Sequence, residues 1–157
     1  MRSIRRLLVA SSVAAALAVV MVIPAAAKAP DVQTWANEVD VPYFDCGSFE
    51  AHGVWTVSHR LTTFRDAAGV AVSDHEIVDF KGSFVNPDTG ASIPDSGRTV
   101  YFDTLATDGS YLTTIQNSVR RNQYLHEAFR YDFQTDAAHG MSHFDAGVEA
   151  ACEALGA

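Results

Sequence analysis

A two-residue alternation recurs between residues 44 and 133, and it restricts this chain more than any other feature. Trp55, Val57 and Leu61 fall on one side of a run whose other side carries Thr56, Ser58, Arg60 and Thr62. Tyr111, Thr113 and Ile115 alternate in the same way, and Phe129, Tyr131 and Phe133 alternate against Ala128, Arg130 and Asp132. Successive side chains of a strand point to opposite faces, so runs rich in Thr, Val and aromatics with this period are half-buried antiparallel strands. The breaks have turn chemistry: Asp66-Ala67-Ala68-Gly69, Asn86-Pro87-Asp88-Thr89-Gly90, Pro94-Asp95-Ser96-Gly97 and Asp108-Gly109. Pro fixes φ and Gly tolerates positive φ, which is what tight turns need. No stretch here has a convincing helical period, although residues 118–131 fit either pattern.

The end of the chain reads differently. Phe144, Val148, Ala151, Cys152 and Leu155 recur at helical spacing, with Ser142 and Asp145 as an approximate capping box. A short helix is predicted from about 143 to 155, weakened by Gly147. The fold class expected is mainly β: a single antiparallel barrel or sandwich of roughly six to nine strands with a short C-terminal helix.

Two cysteines, Cys46 and Cys152, lie near the two ends of this region. In an oxidising compartment two Cys usually form one disulfide. Such a bridge closes a loop of about a hundred residues and is worth ~4–5 kcal/mol on the chain-entropy view. The amino terminus points to that compartment. Arg2, Arg5 and Arg6 precede an uncharged run from Leu7 to Ile23, and Pro24 with Ala25-Ala26-Ala27 supplies a small-residue exit. These are the three parts of a cleavable signal peptide, expected at residues 1–27. Residues 28–42, broken by Pro30 and Pro42, read as a flexible arm in which Trp35 and Val39 pack as one helical turn. Residues 43–157 are then the disulfide-clasped β domain, secreted or associated with the cell wall, touching membrane only through the signal peptide before cleavage.

Cleavage removes three arginines and takes the net charge from −8 to −11. A field of that sign opposes nucleic acid and anionic lipid. It favours solubility and cationic partners.

Candidate chemistry is sparse. His139 and His143 stand four apart in His139-Gly140-Met141-Ser142-His143, with Asp136 and Asp145 near enough in sequence to complete a metal site. Without a third anchored ligand the spacing is a weak signal, and the default reading is a solvated loop. His59 shares a face with Trp55 and Val57, so it is a hydrogen-bonded core residue or part of a cavity wall. His75 lies between Asp74 and Glu76, and His126 precedes Glu127, arrangements that favour the charged imidazole. Arg120-Arg121 is the one basic doublet after residue 27 and would hold a carboxylate or phosphate, or pair within the acidic surface. No Gly-x-Ser-x-Gly elbow or phosphate loop occurs, and no motif implies a cofactor. The two Trp, five Tyr and nine Phe all follow residue 27. In a small β domain they fill the interior or line a pocket, whose candidate wall is Trp55, Val57, His59, Phe129 and Tyr131.

Four short segments carry a resemblance: Phe44-Asp45-Cys46-Gly47, Asn86-Pro87-Asp88-Thr89-Gly90, Asp108-Gly109 and Cys152-Glu153-Ala154-Leu155. In this order, behind an Ala-rich signal peptide, they resemble a group of small secreted β-rich proteins of actinobacteria. That group has no assigned activity, so no functional residue carries over from it. Gly53-Val54-Trp55 at the start of the first long strand, with a helix after the strands, is similar to lipocalins and implies a pocket for a small apolar ligand. The leading expectation is a non-enzymatic secreted domain that binds a ligand or an extracellular protein. The alternatives are an extracellular hydrolase or metal-dependent enzyme using His139 and His143, and a cell-surface interaction module or inhibitor.

Overall fold

The computed structural model describes residues 28–156; the expected signal peptide at 1–27 lies outside them. Seven strands form one antiparallel sheet in which spatial order follows chain order. They are β1 (Asp31–Asp45), β2 (Glu50–Arg65), β3 (Ala71–Val85), β4 (Ser92–Leu105), β5 (Tyr111–Arg121), β6 (His126–Asp132) and β7 (Ala137–Ser142), followed by helix α1 (Phe144–Leu155). The protein is thus mainly β with a short C-terminal helix, as the alternation implies. The sheet is not closed, and β1 and β7 are its edges.

It is nevertheless strongly curled. The Tyr43 hydroxyl on β1 accepts a hydrogen bond of 2.8 Å from Arg120 Nη2 on β5. Four strand spacings would separate those strands by about 19 Å if the sheet were flat, more than the two side chains can span. Glycines on the inner face permit the curvature. A Cβ on Gly82 would lie 1.9 Å from the Val54 carbonyl, and one on Gly97 would strike the Phe80 ring at 2.3 Å. Backbone and ring approach where a side chain would stand.

The core sits at one end of this inner face, beneath α1. Phe44, Ala51, Trp55, Phe84, Ile93 and Leu125 pack against Ala151, Cys152 and Leu155. The Cys46–Cys152 disulfide ties the end of β1 to α1. Asn86 adds a polar pin. Its side-chain oxygen accepts from Asp88 N and Thr89 N, closing the β3–β4 turn, while its amide donates to Leu155 O at the helix end. Gly147, which weakens the helix on propensity, is there for contact: a Cβ would lie 2.1 Å from Tyr124 O.

Three local expectations are corrected. Residues 28–42 are no flexible arm with a helical turn, because Asp31–Asp45 is a 15-residue strand. Trp35 and Val39 share a face in a strand as they would in a helix, since four is close to a whole number of periods in both. Pro42 is tolerated because β1 is an edge and the register shifts between Pro42 and Phe44. Second, Pro94-Asp95-Ser96-Gly97 is no turn but part of β4. Pro94 lies before the first residue of β4 paired with β5, so its missing N–H costs no ladder bond on that side. Third, the helix N-cap is His143 without a side-chain bond; Ser142 Oγ is only a 3.4 Å acceptor for Phe144 N. The ambiguous stretch 118–131 resolves into β5, a loop in which Asn122 Oδ1 accepts from Tyr124 N and Leu125 N, and β6.

Candidate functional site

Register places the functional side chains. Row by row across β2 to β6, Trp55 aligns with Gly82 and Asp95, Val57 with Phe80, Gly97, Arg120 and Glu127, and His59 with Val78, Thr99, Ser118 and Phe129. These residues all point to the inner face. Beside the core they leave a cup of about 310 Å³. Thr99, Gln116 and Ser118 form its floor, Tyr43, Phe80 and Phe129 its aromatic walls, and Arg120 and Glu127 close one end. The Ser118 hydroxyl bonds Thr99 Oγ1 at 3.0 Å and receives Gln116 Nε2 at 2.8 Å. These polar groups favour a ligand with hydrogen-bonding groups over the apolar one expected from the sequence.

The closed end of the cup is built on a buried ion cluster. The Arg120 side chain is 9% exposed and that of Asp95 fully buried, with Nε 3.9 Å from Asp95 Oδ1 and 3.6 Å from Glu127 Oε2. The guanidinium stands within 5.1–5.9 Å of the ring centres of Tyr43, Trp55, Phe80, Phe84 and Phe144. Trp55 Nε1 donates to Asp95 Oδ2 at 2.8 Å. Burial pushes the Asp95 carboxyl above its ordinary 3.8, opposed by the Arg120 charge and by hydrogen bonds from Trp55 and Asn122. A cation held against ring faces, with a carboxylate on each side, fixes the wall of the cup in one geometry.

The candidate pocket residues separate in space. Phe129 lines the cup and Trp55 lies beneath it in the core. His59 is a bonded residue of the same face: Nδ1 is 2.8 Å from Glu76 Oε1, and the ring stacks on Trp35 at 4.7 Å. Val57 packs against the core. Tyr131 shares the face but donates its hydroxyl to Asp136 in the β6–β7 turn, a bond that raises its pKa. His139 is exposed on the opposite face of β7, paired with Arg130, and His143 is exposed at the start of α1. No group of three or more His, Cys, Asp or Glu suited to a metal occurs among the described residues. His75 lies on the outer face between the rings of Phe64 and Phe102, 4.8 Å from each.

The cup-lining residues that the sequence did not single out include Tyr43, Phe80, Thr99, Gln116, Ser118 and Glu127. Their signal is register: Thr99 and Ser118 fall in the row of Phe129, Gln116 pairs with Tyr131, and Glu127 pairs with Arg120. No family model, curated protein or solved structure matches the chain.

Proposed function

We propose that this chain is an exported, non-enzymatic binding domain that holds a small polar ligand in the inner-face cup. The observation that carries this reading is the cup itself: a concave site with a hydrogen-bonding floor between aromatic walls, at the low end of the range for ligand pockets, about 300–1,000 Å³. Carboxylates outnumber cations on this face. Asp74, Glu76, Asp95, Asp103 and Glu127 stand against Arg120, so a neutral or cationic molecule suits the field better than an anion. The Ser118 hydroxyl is bonded to Thr99 and Gln116 rather than to a base, which suits recognition rather than nucleophilic attack. Export is supported by the signal-like amino terminus and by the disulfide. No helix among the described residues is long and apolar enough to cross a membrane.

Native mass spectrometry of protein collected from the culture medium tests this. The wild type should carry a small-molecule adduct that Ser118→Trp, which fills the cup, and Gln116→Leu, which removes a polar group, lose or weaken. An identical adduct pattern in all three proteins, or no adduct on the wild type, would overturn it.

The open edge favours a second reading. Along its 15 residues β1 has one strand neighbour, so alternate backbone N–H and C=O groups face away from the sheet. Its charges are Asp31, Glu38, Asp40 and Asp45, with no Lys or Arg. Pairing of two β1 strands is opposed by those acids, whereas a basic extended segment fits. Hydrogen exchange with a Lys-rich peptide should slow the β1 amides; unchanged exchange would remove this reading.

A further inference from the structure

Across β2 to β6 the outer face of the sheet carries an excess of cations, the opposite of the inner face. The residues that point outward there include Arg60, Lys81, Arg98, Arg121 and Arg130, one from each strand, against Glu50, Asp79 and Asp132. Edge strand β1 adds Glu38, which accepts from Thr56 Oγ1, and Asp40. All five cations are exposed. Arg98 makes a paired contact with Asp79, Nε–Oδ1 2.7 Å and Nη2–Oδ2 2.9 Å. Arg60, Lys81, Arg121 and Arg130 make no ion pair among the described residues. In a chain with 19 Asp and Glu against 11 Lys and Arg, partners are plentiful. Four unpaired cations gathered on one face are therefore placed for something outside the chain.

Their arrangement sets the size of that partner. Lys81 and Arg121 share one row of the sheet, Arg98 stands in the next, and Arg60 and Arg130 share the row beyond. At strand spacings near 4.8 Å, Lys81 and Arg121 lie about 10 Å apart, and Arg60 and Arg130 stand four strands apart on the two sides of the curled face. A groove of about 750 Å³ runs through the middle, lined by Lys81, Arg98 and Arg121. One small anion cannot reach all of these charges, whereas a chain with a negative group every several ångströms can. The neutral lining narrows the class. Thr56, Ser58, Ser96 and Asn117 put hydroxyl and amide groups between the cations, and Val100 and Val119 give the floor an apolar strip. Sugar rings present hydroxyls at their rims and C–H faces above and below, and carboxylated sugars add the charge that Arg and Lys hold.

We infer that the outer face of β2–β6 is a docking site for a linear carboxylated polysaccharide. It is independent of the inner-face cup, because the two sites lie on opposite faces and share no polar side chain. The net acidity of the chain does not forbid it, since at ordinary salt charges beyond about 8–10 Å are screened and the face acts locally.

Oligogalacturonate, inorganic polyphosphate, neutral dextran and vesicles containing anionic lipid are the probes, titrated into the secreted protein by calorimetry. Oligogalacturonate should bind, and raising salt about fourfold should weaken that binding at least tenfold, as for several released counterions. Lys81→Gln with Arg121→Gln should weaken it at least tenfold while leaving the far-ultraviolet spectrum and unfolding midpoint unchanged, and Ser118→Trp should leave it intact. No binding of oligogalacturonate, equal or tighter binding of polyphosphate or vesicles, or undiminished binding by the Lys81/Arg121 variant would overturn the inference.

Discussion

Replacing Arg120 by Met removes a buried cation and keeps an unbranched apolar stem of similar reach. The loss has two parts. Asp95, whose side chain is fully buried, keeps its bond from Trp55 but loses its counter-charge. The ring faces of Tyr43, Trp55, Phe80, Phe84 and Phe144 lose the cation they surround. Breaking a buried ion pair from one side costs ~3–5 kcal/mol, because the remaining charge is stranded. Against a total of ~5–15 kcal/mol for a domain of this size, that brings the protein close to unfolding. The assay is equilibrium urea unfolding with the disulfide intact, run on Arg120→Met, Asp95→Asn and the double variant. The double variant should cost clearly less than the sum of the singles, since the fully buried carboxylate is then no longer stranded. If Arg120→Met costs under ~1 kcal/mol, or the two changes simply add, the cluster is not the coupled unit described here.

Four further outcomes follow from single contacts. Gly147→Ala gains ~1 kcal/mol of helix propensity, but its methyl meets Tyr124 O at 2.1 Å, so thermal unfolding should show a net loss of ~1–3 kcal/mol; a raised midpoint contradicts that packing. Asn86→Ala removes three hydrogen bonds joining the β3–β4 turn to Leu155, and denaturant titration should show ~1–3 kcal/mol lost, with faster amide exchange in the last turn of α1. Replacing Cys46 and Cys152 together by Ser should lower stability by ~4–5 kcal/mol for a loop of this length, and an unchanged unfolding midpoint would show that the bridge is dispensable. Burial raises the Asp95 pKa in the folded chain above its ordinary 3.8, so the folded form holds a proton that the unfolded form has lost. Its contribution to stability therefore falls as pH rises from 3.8 through the raised value, and the stability of Asp95→Asn relative to wild type should climb over that window. A flat or falling difference contradicts the assignment.

Most of the sheet was legible because burial of one face imposes a period of two, and Trp55, Val57, Phe129 and Tyr131 all lie on the inner face as their alternation implies. Strand β1 was not, because Trp35 and Val39 fit a helical turn and a strand equally and Pro42 looks like a breaker until the strand is known to be an edge. Pro94 and Gly97 mimic a turn for the same local reason, while their true purpose lies in distant residues: Gly97 makes room for Phe80. The doublet Arg120-Arg121 shows the limit most clearly. In sequence it is one basic spot. The pleat sends Arg120 into an aromatic cage on the inner face and Arg121 to the rim of the outer groove. Net charge could not reveal this, because alternation sorts acids and bases by face without changing their sum. The cup floor was hidden for a related reason: Thr99, Gln116 and Ser118 come from two strands, and only pairing brings them together.

The central claim is that the inner-face cup holds a ligand. Its most direct test is an amide-resolved NMR titration of refolded, ligand-free protein with the small-molecule fraction of spent culture medium. Shifts should concentrate at Thr99, Gln116, Ser118 and Phe129. An unchanged spectrum, or shifts confined to the outer face around Lys81 and Arg121, would contradict it.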